Sequence, residues 1–123
     1  MTKFSFAKRG KSFVYAWRGI VSLVSNEHNA WIHCVAAVVT VTAGFAFGIS
    51  RVEWIAVVIC IAAVFAAEAF NTAVERLVDI VSPDYDRRAG AVKDVAAGAV
   101  LLTAIGAAVV GLLVFVPHIA ALF

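Results

Sequence analysis

The chain has 123 residues, of which 63% are hydrophobic and only 15% charged, and its mean hydropathy is +0.97. That balance excludes an ordinary soluble domain and reads as an integral membrane protein. The formal net charge of +2 is too small to argue for a nucleic-acid partner.

Residues 4–24 are too polar to span a bilayer but are two-sided at about 100° per residue. Phe6, Phe13, Trp17, Ile20 and Val24 fall on one side, and Lys11, Arg18, Ser22 and Ser25 on the other. This is the pattern of an amphipathic helix lying in the headgroup layer, its basic residues available to anionic lipid or phosphate. Basic residues run through to Arg18 with no short apolar core and cleavage site after them, so a secretory signal is not expected. The stretch "SNEHN" (25–29) then interrupts, with Ser25 or Asn26 as the expected cap of the next helix and Glu27 at the bilayer entry.

Three apolar segments follow, at 30–49, 52–74 and 95–116, each matching the roughly 20 helical residues that cross a hydrocarbon layer about 30 Å thick. Within the first, Gly44-x-x-x-Gly48 is expected to be a small-residue packing surface. "GISR" marks a short turn, and "SPDYDRRAG" (82–90) is a loop in which Pro83 ends the second span. Lys3, Lys8, Arg9, Lys11 and Arg18 precede the first span, Arg76, Arg87, Arg88 and Lys93 lie between the second and third, and only Arg51 lies between the first and second. The positive-inside rule puts the N-terminus and the 76–94 region in the cytoplasm and the C-terminus outside. Cys34 and Cys60 lie inside spans and are expected to be packed thiols without a disulfide. No second domain fits, so residues 1–123 read as one membrane domain, and such alanine-rich helices call for oligomerisation to bury their polar groups.

The chemistry is concentrated at the end of the second span, where "EAFNTAVERLVD" continues an apolar run without a turn residue. Glu68, Asn71, Glu75 and Asp79 fall within an arc of about 80° and form one polar stripe. Ionisable groups at bilayer depth are costly and usually face protein or a watery cleft. Arg76 reads as a solvated side chain at the helix end. Glu75 and Glu27 should lie at similar depth, and two carboxylates there suit a hard cation such as Mg²⁺. Glu68 lies about 10 Å deeper, at about 1.5 Å per residue, too far to share that ion. A carboxylate withdrawn from water suits a general base. Lys93 and Asp94 open the third span and could steer a polyphosphate or simply cap the helix.

The sequence has neither a G-x-x-x-x-G-K-[ST] nor a G-x-G-x-x-G motif, so a nucleotide would be held by metal and basic side chains. His28 and His33 are five apart and share no helix face, and His118 is expected across the membrane, which argues against a histidine metal site. An ion- or proton-coupled transporter would use Glu68 as its coupling carboxylate but needs a polar path to the far side, and the outer half of the second span supplies none. A silent scaffold would tolerate loss of the carboxylates.

The block "EAFNTAVERLVD" resembles the E-x-x-N-[ST]-A-[IV]-E-x-x-V-D block of the prokaryotic diacylglycerol kinase family, and "AGAVKDVAAGAV" resembles its A-K-D segment. "AWRGI" and "NEHNAWIH" are similar to the region that opens the family's first span. The resemblance implies an all-α fold with an N-terminal surface helix and three transmembrane helices, a homotrimer with active sites shared between protomers, and a place in the bacterial cytoplasmic membrane. It implies transfer of the γ-phosphate of Mg-ATP to a membrane lipid alcohol, diacylglycerol or, as the alternative, undecaprenol. By matching positions it implies Glu68 as catalytic base and Glu27 and Glu75 as Mg²⁺ ligands. Lys8, Tyr15, Asp84, Tyr85, Asp86, Lys93 and Asp94 would line the nucleotide together with Glu27 and Glu75. Lys8 would also touch lipid, and Asn71 and Ala97 would support the site. Lys8, Asp86 and Ala97 stand where enteric diacylglycerol kinases carry arginine, histidine and serine, and the wording of "NEHNAWIH" and "KDVAAGAVL" looks more like the undecaprenol kinase branch.

Overall fold

The computed structural model describes residues 3–123 as four helices in chain order, α1 (Phe6–Asn26), α2 (His28–Phe47), α3 (Arg51–Val81) and α4 (Arg87–Ala120). The last three are long and apolar enough to cross a membrane, in keeping with the all-α membrane architecture expected from composition. Ser5 starts α1 by accepting a hydrogen bond from the Lys8 backbone N–H. The apolar side of α1 is open, with Phe6, Phe13, Trp17 and Ile20 all exposed, as a helix lying on a lipid surface requires.

The break between α1 and α2 is shorter than expected. Neither Ser25 nor Asn26 caps α2, because Asn26 still belongs to α1 and its Nδ2 donates back to the Ser22 carbonyl at 2.9 Å. Glu27 alone is extended, with φ −110° and ψ 122°, and serves as C-cap of α1 and N-cap of α2. Its carboxylate makes no capping bond and points elsewhere.

The turn after α2 assigns separate roles to the two glycines expected to share a packing stripe. Gly48 takes the left-handed conformation, φ +62°, which a Cβ disfavours. The Ile49 N–H then reaches the Gly44 carbonyl at 3.1 Å, closing a Schellman-type end. Gly44 lies under the Trp54 indole, so that a Cβ there would sit 2.6 Å from the ring.

Next, α3 starts with a capping box in which Ser50 Oγ accepts from the Glu53 N–H and the Glu53 carboxylate accepts from the Ser50 N–H. It then runs unbroken for 31 residues, about 46 Å at about 1.5 Å per residue. That exceeds the roughly 30 Å hydrocarbon layer, so its last turns project past the membrane. Ser82 caps it just before Pro83, as expected.

The firmest packing is between α3 and α4, with α2 lying more lightly on α3. A small core of Ile49, Val57 and Val114 sits at the end remote from the polar stripe, packed by Phe47, Trp54, Ile61, Val110 and Phe115. Beside it His118 Nε2 faces both Glu53 oxygens at 3.2 and 3.1 Å, tying the start of α3 to the end of α4. Most other apolar side chains, among them Leu101, Leu102, Leu112 and Leu113, are exposed on the protomer, available to lipid or to further copies. Cys34 and Cys60 are unbonded thiols, as expected.

Gly44→Ala is expected to lower stability in detergent by about 1–3 kcal/mol through crowding of the Trp54 ring, and Gly48→Ala by about 1–2 kcal/mol through its left-handed backbone. Thermal unfolding followed by circular dichroism checks both; an unchanged midpoint for Gly44→Ala means that the indole moves aside freely.

Candidate functional site

The polar stripe of α3 divides by depth. Glu68, Asn71 and Thr72 are the buried polar residues among the described residues, at 2%, 6% and 4% exposure. Glu75 is half-buried and Asp79 exposed. Glu68 Oε2, Asn71 Oδ1 and Thr72 Oγ1 are each buried without a hydrogen-bond partner, although one such orphan typically costs about 1–3 kcal/mol. Three in adjacent positions mark a place built for something beyond the protomer's own packing. The Asn71 amide Nδ2 donates to Glu75 Oε1 at 3.4 Å, linking the deep and shallow halves.

The other elements meet this stripe at three levels. Deepest, His33 of α2 brings Nε2 to 3.6 Å from Glu68 Oε2. Higher, Arg76 reaches from α3 to Glu27 Oε1 at 3.6 Å and to Ser22 Oγ at 3.2 Å. Arg76 is exposed, as expected from sequence, and its guanidinium lies beside the hinge between α1 and α2, where a carboxylate and a hydroxyl are both in range. It also places Glu27 against α3 one residue on from Glu75. At the end of the stripe Lys93 Nζ of α4 meets Asp79 Oδ1 at 2.6 Å. Because α4 already starts at Arg87 with Asp86 as its cap, Lys93 and Asp94 lie beyond its first turn and do not cap it, contrary to that alternative from sequence.

The residues carried over for the nucleotide are not gathered in one protomer. Lys8 and Tyr15 lie exposed on α1, and Lys8 is about 28 Å from Glu27 along that helix at about 1.5 Å per residue. Arg18 lies over the Tyr15 ring at 5.8 Å. Asp84 and Tyr85 stand out from the α3–α4 loop, Tyr85 at 93% exposure. Asp94 and Ala97 are exposed on α4. Asp86 caps α4 through the Arg88 N–H at 2.8 Å and pairs with the Arg88 guanidinium at 3.0 Å.

Sequence reasoning missed Thr72, Arg76, Ser22 and His33. Thr72 was within reach of it, since four residues beyond Glu68 means about 40° around the same helix. The other three depend on which helices touch, which periodicity within one helix does not report.

For a metal, Glu27 and Glu75 offer half-buried oxygens with no thiol or imidazole, the donor type that Mg²⁺ takes. Among the described residues no three His, Cys, Asp or Glu side chains converge. A pair of carboxylates still fits this ion, which commonly takes one or two from the protein and the rest from phosphates and water.

A family profile for prokaryotic diacylglycerol kinase matches residues 14–115. The chain belongs to the prokaryotic diacylglycerol kinase family. It is 38% identical over 109 residues to an undecaprenol kinase of Bacillus subtilis, covering 89% of each chain. It is 35% identical over 112 residues to a diacylglycerol kinase of Synechocystis, covering 90% of this chain and 64% of that longer relative. The family's matched region takes in the hinge, the full stripe and Lys93.

The Arg88 side chain and then its backbone N–H stabilise ionised Asp86, holding its carboxyl below the usual aspartate value. Because the folded value is the depressed one, the stabilisation is complete above the ordinary aspartate pKa and is lost as pH falls through the lowered one. Arg88→Ala should move the Asp86 titration back up, read from its carboxyl carbon by NMR; no movement would mean that the ion pair contributes nothing.

Proposed function

We propose that this ATP-dependent lipid kinase transfers the γ-phosphate of ATP to the hydroxyl of a membrane lipid alcohol held beside Glu68. The observation that carries the proposal is the buried carboxylate of Glu68, with an unpartnered oxygen, about two turns below the half-buried Glu75 on one unbroken helix. One substrate is dissolved in the bilayer and the other in water, and a helix that outruns the hydrocarbon presents groups to both.

In this reading Glu68 takes the proton of the lipid hydroxyl as its oxygen bonds to the γ-phosphorus and the bond to the β,γ-bridging oxygen breaks, releasing ADP. Asn71 ties the level of the base to that of Glu75. Glu27 and Glu75 would hold Mg²⁺, which when bound neutralises phosphate charge. Lys93, released from Asp79 or shared with it, and the basic residues of α1 add positive charge near the triphosphate. Positioning and charge neutralisation are most of what phosphoryl transfer needs.

The exposed apolar faces and the distance of Lys8 and Tyr15 from their own protomer's Glu27 support a homotrimer. There α1 and the 84–86 loop of one copy, with Asp94 and Ala97, complete a site on another. The arrangement of basic residues supports a cytoplasmic N-terminus and α3–α4 loop, an external C-terminus, and residence in the bacterial cytoplasmic membrane. For the acceptor, diacylglycerol and undecaprenol fit equally, the first carried by the family profile and the Synechocystis relative, the second by the undecaprenol kinase of matched length.

Purified protein with Mg-ATP in mixed micelles, offered undecaprenol and diacylglycerol in parallel, tests this. Phosphate is expected on one lipid or both, and on neither if the proposal is wrong. Glu68→Gln should lower kcat by about 10²- to 10⁴-fold; full activity would remove it as the base. Glu27→Gln and Glu75→Gln should each raise the Mg²⁺ concentration needed for half-maximal rate, and an unchanged requirement would move the metal elsewhere.

A further inference from the structure

Glu68 is nearly sealed from solvent at 2% exposure, and its Oε2 has no hydrogen bond. Its charged or titratable neighbour is His33, whose Nε2 stands 3.6 Å from that oxygen. Asn71 Nδ2 is turned to Glu75, and Thr72 Oγ1 is itself unpartnered. The imidazole is held from the side by Phe65, edge-on with centroids 6.2 Å apart and planes at 72°, one turn before Glu68 on the same helix. Its other surroundings are those of an apolar cleft between α2, α3 and α4 that includes Ala36, Cys60 and Val64. The ring therefore has one carboxylate oxygen to turn to and an aromatic edge that limits its swing.

We propose that His33 is a positioning residue for Glu68, donating its Nε2–H to Oε2 and so fixing the carboxylate with its second oxygen towards the acceptor hydroxyl. This rests on the reading of Glu68 as the base. The observed separation is a few tenths of an ångström beyond the usual N–H···O range of about 2.7–3.2 Å, which a small rotation of either side chain closes. A glutamate has three rotatable bonds, and a general base must come within about 2.6–3.2 Å of the proton it abstracts. Oε2, buried without a hydrogen-bond partner, has nothing else to hold that geometry. The imidazole N–H of His33, its Nε2 3.6 Å away, is the donor placed to hold it.

The test compares His33→Ala, His33→Gln and Glu68→Gln with the double variant His33→Ala/Glu68→Gln, in mixed micelles, each checked for wild-type helicity and melting. His33→Leu, which fills the space without a donor, replaces Ala if that variant fails to fold. His33→Ala should lower kcat about 10- to 100-fold, the scale of a misplaced catalytic group, and change KM for lipid and Mg-ATP by less than about 3-fold. His33→Gln, whose amide N–H reaches the position of Nε2, should recover most of the rate. On the Glu68→Gln background the His33 change should cost nothing further. His33→Ala within about 2-fold of wild type, Gln no better than Ala, or an equal loss on both backgrounds overturns the inference. A fully active Glu68→Gln overturns the base assignment itself, and this inference with it. An inactive Glu68→Gln beside an active His33→Ala sinks only the inference.

Discussion

A carboxylate withdrawn from water has to be supported by something else, and the burial of Glu68 at 2% exposure sets that requirement for the whole molecule. It explains why α3 passes without a break from apolar to polar residues, since a kink at that depth would leave backbone groups unpaired in hydrocarbon. It also explains why the neighbouring positions on the same face are Asn71 and Thr72. Large apolar residues there would fill the space beside the carboxylate, and further charges would multiply the cost of burial. The three unpartnered oxygens of that turn are a debt left by the isolated protomer, and ligands or adjoining copies of the chain are what can settle it.

Much of the fold could be read from residue order because apolar length and helical period are properties of a single segment. The three spans, the surface helix and the stripe from Glu68 to Asp79 all depend on such local regularity, and the structure contains each of them. Pro83 stopped α3 where proline chemistry says it should. Local regularity says nothing about how one helix meets another, and the differences concentrate there. Arg76 is the exposed helix-end residue expected, but that Ser22 of α1 and Glu27 lie beside it was not legible. Nothing within a single segment reports that His33 of α2 faces Glu68 of α3 or that His118 of α4 faces Glu53 of α3. Gly44 and Gly48 fitted a familiar packing spacing, but the spacing does not reveal that one glycine ends the helix while the other lies beneath an indole.

The site itself was legible in part for a related reason. Residues on α3 and at the hinge form a connected set within one protomer: Glu68 with His33, Asn71 with Glu75, Glu27 with Arg76, and Asp79 with Lys93. Those carried over only by resemblance, among them Lys8, Tyr15, Asp84 and Tyr85, are exposed. In the proposed reading this division would suit a site shared between protomers, with Glu68 held by packing and the proposed nucleotide-facing groups carried on exposed elements.

Glu27 is the single extended residue joining two stiff rods, one lying along the lipid surface and one crossing the bilayer. Any tilt of the first rod against the second must be absorbed by the φ and ψ of that one residue, and its side chain swings with them. Bilayer thickness, curvature or headgroup crowding would thus be transmitted as an angle to one of the two carboxylates proposed to grip the metal, making the anchor of this protein a lever on its chemistry.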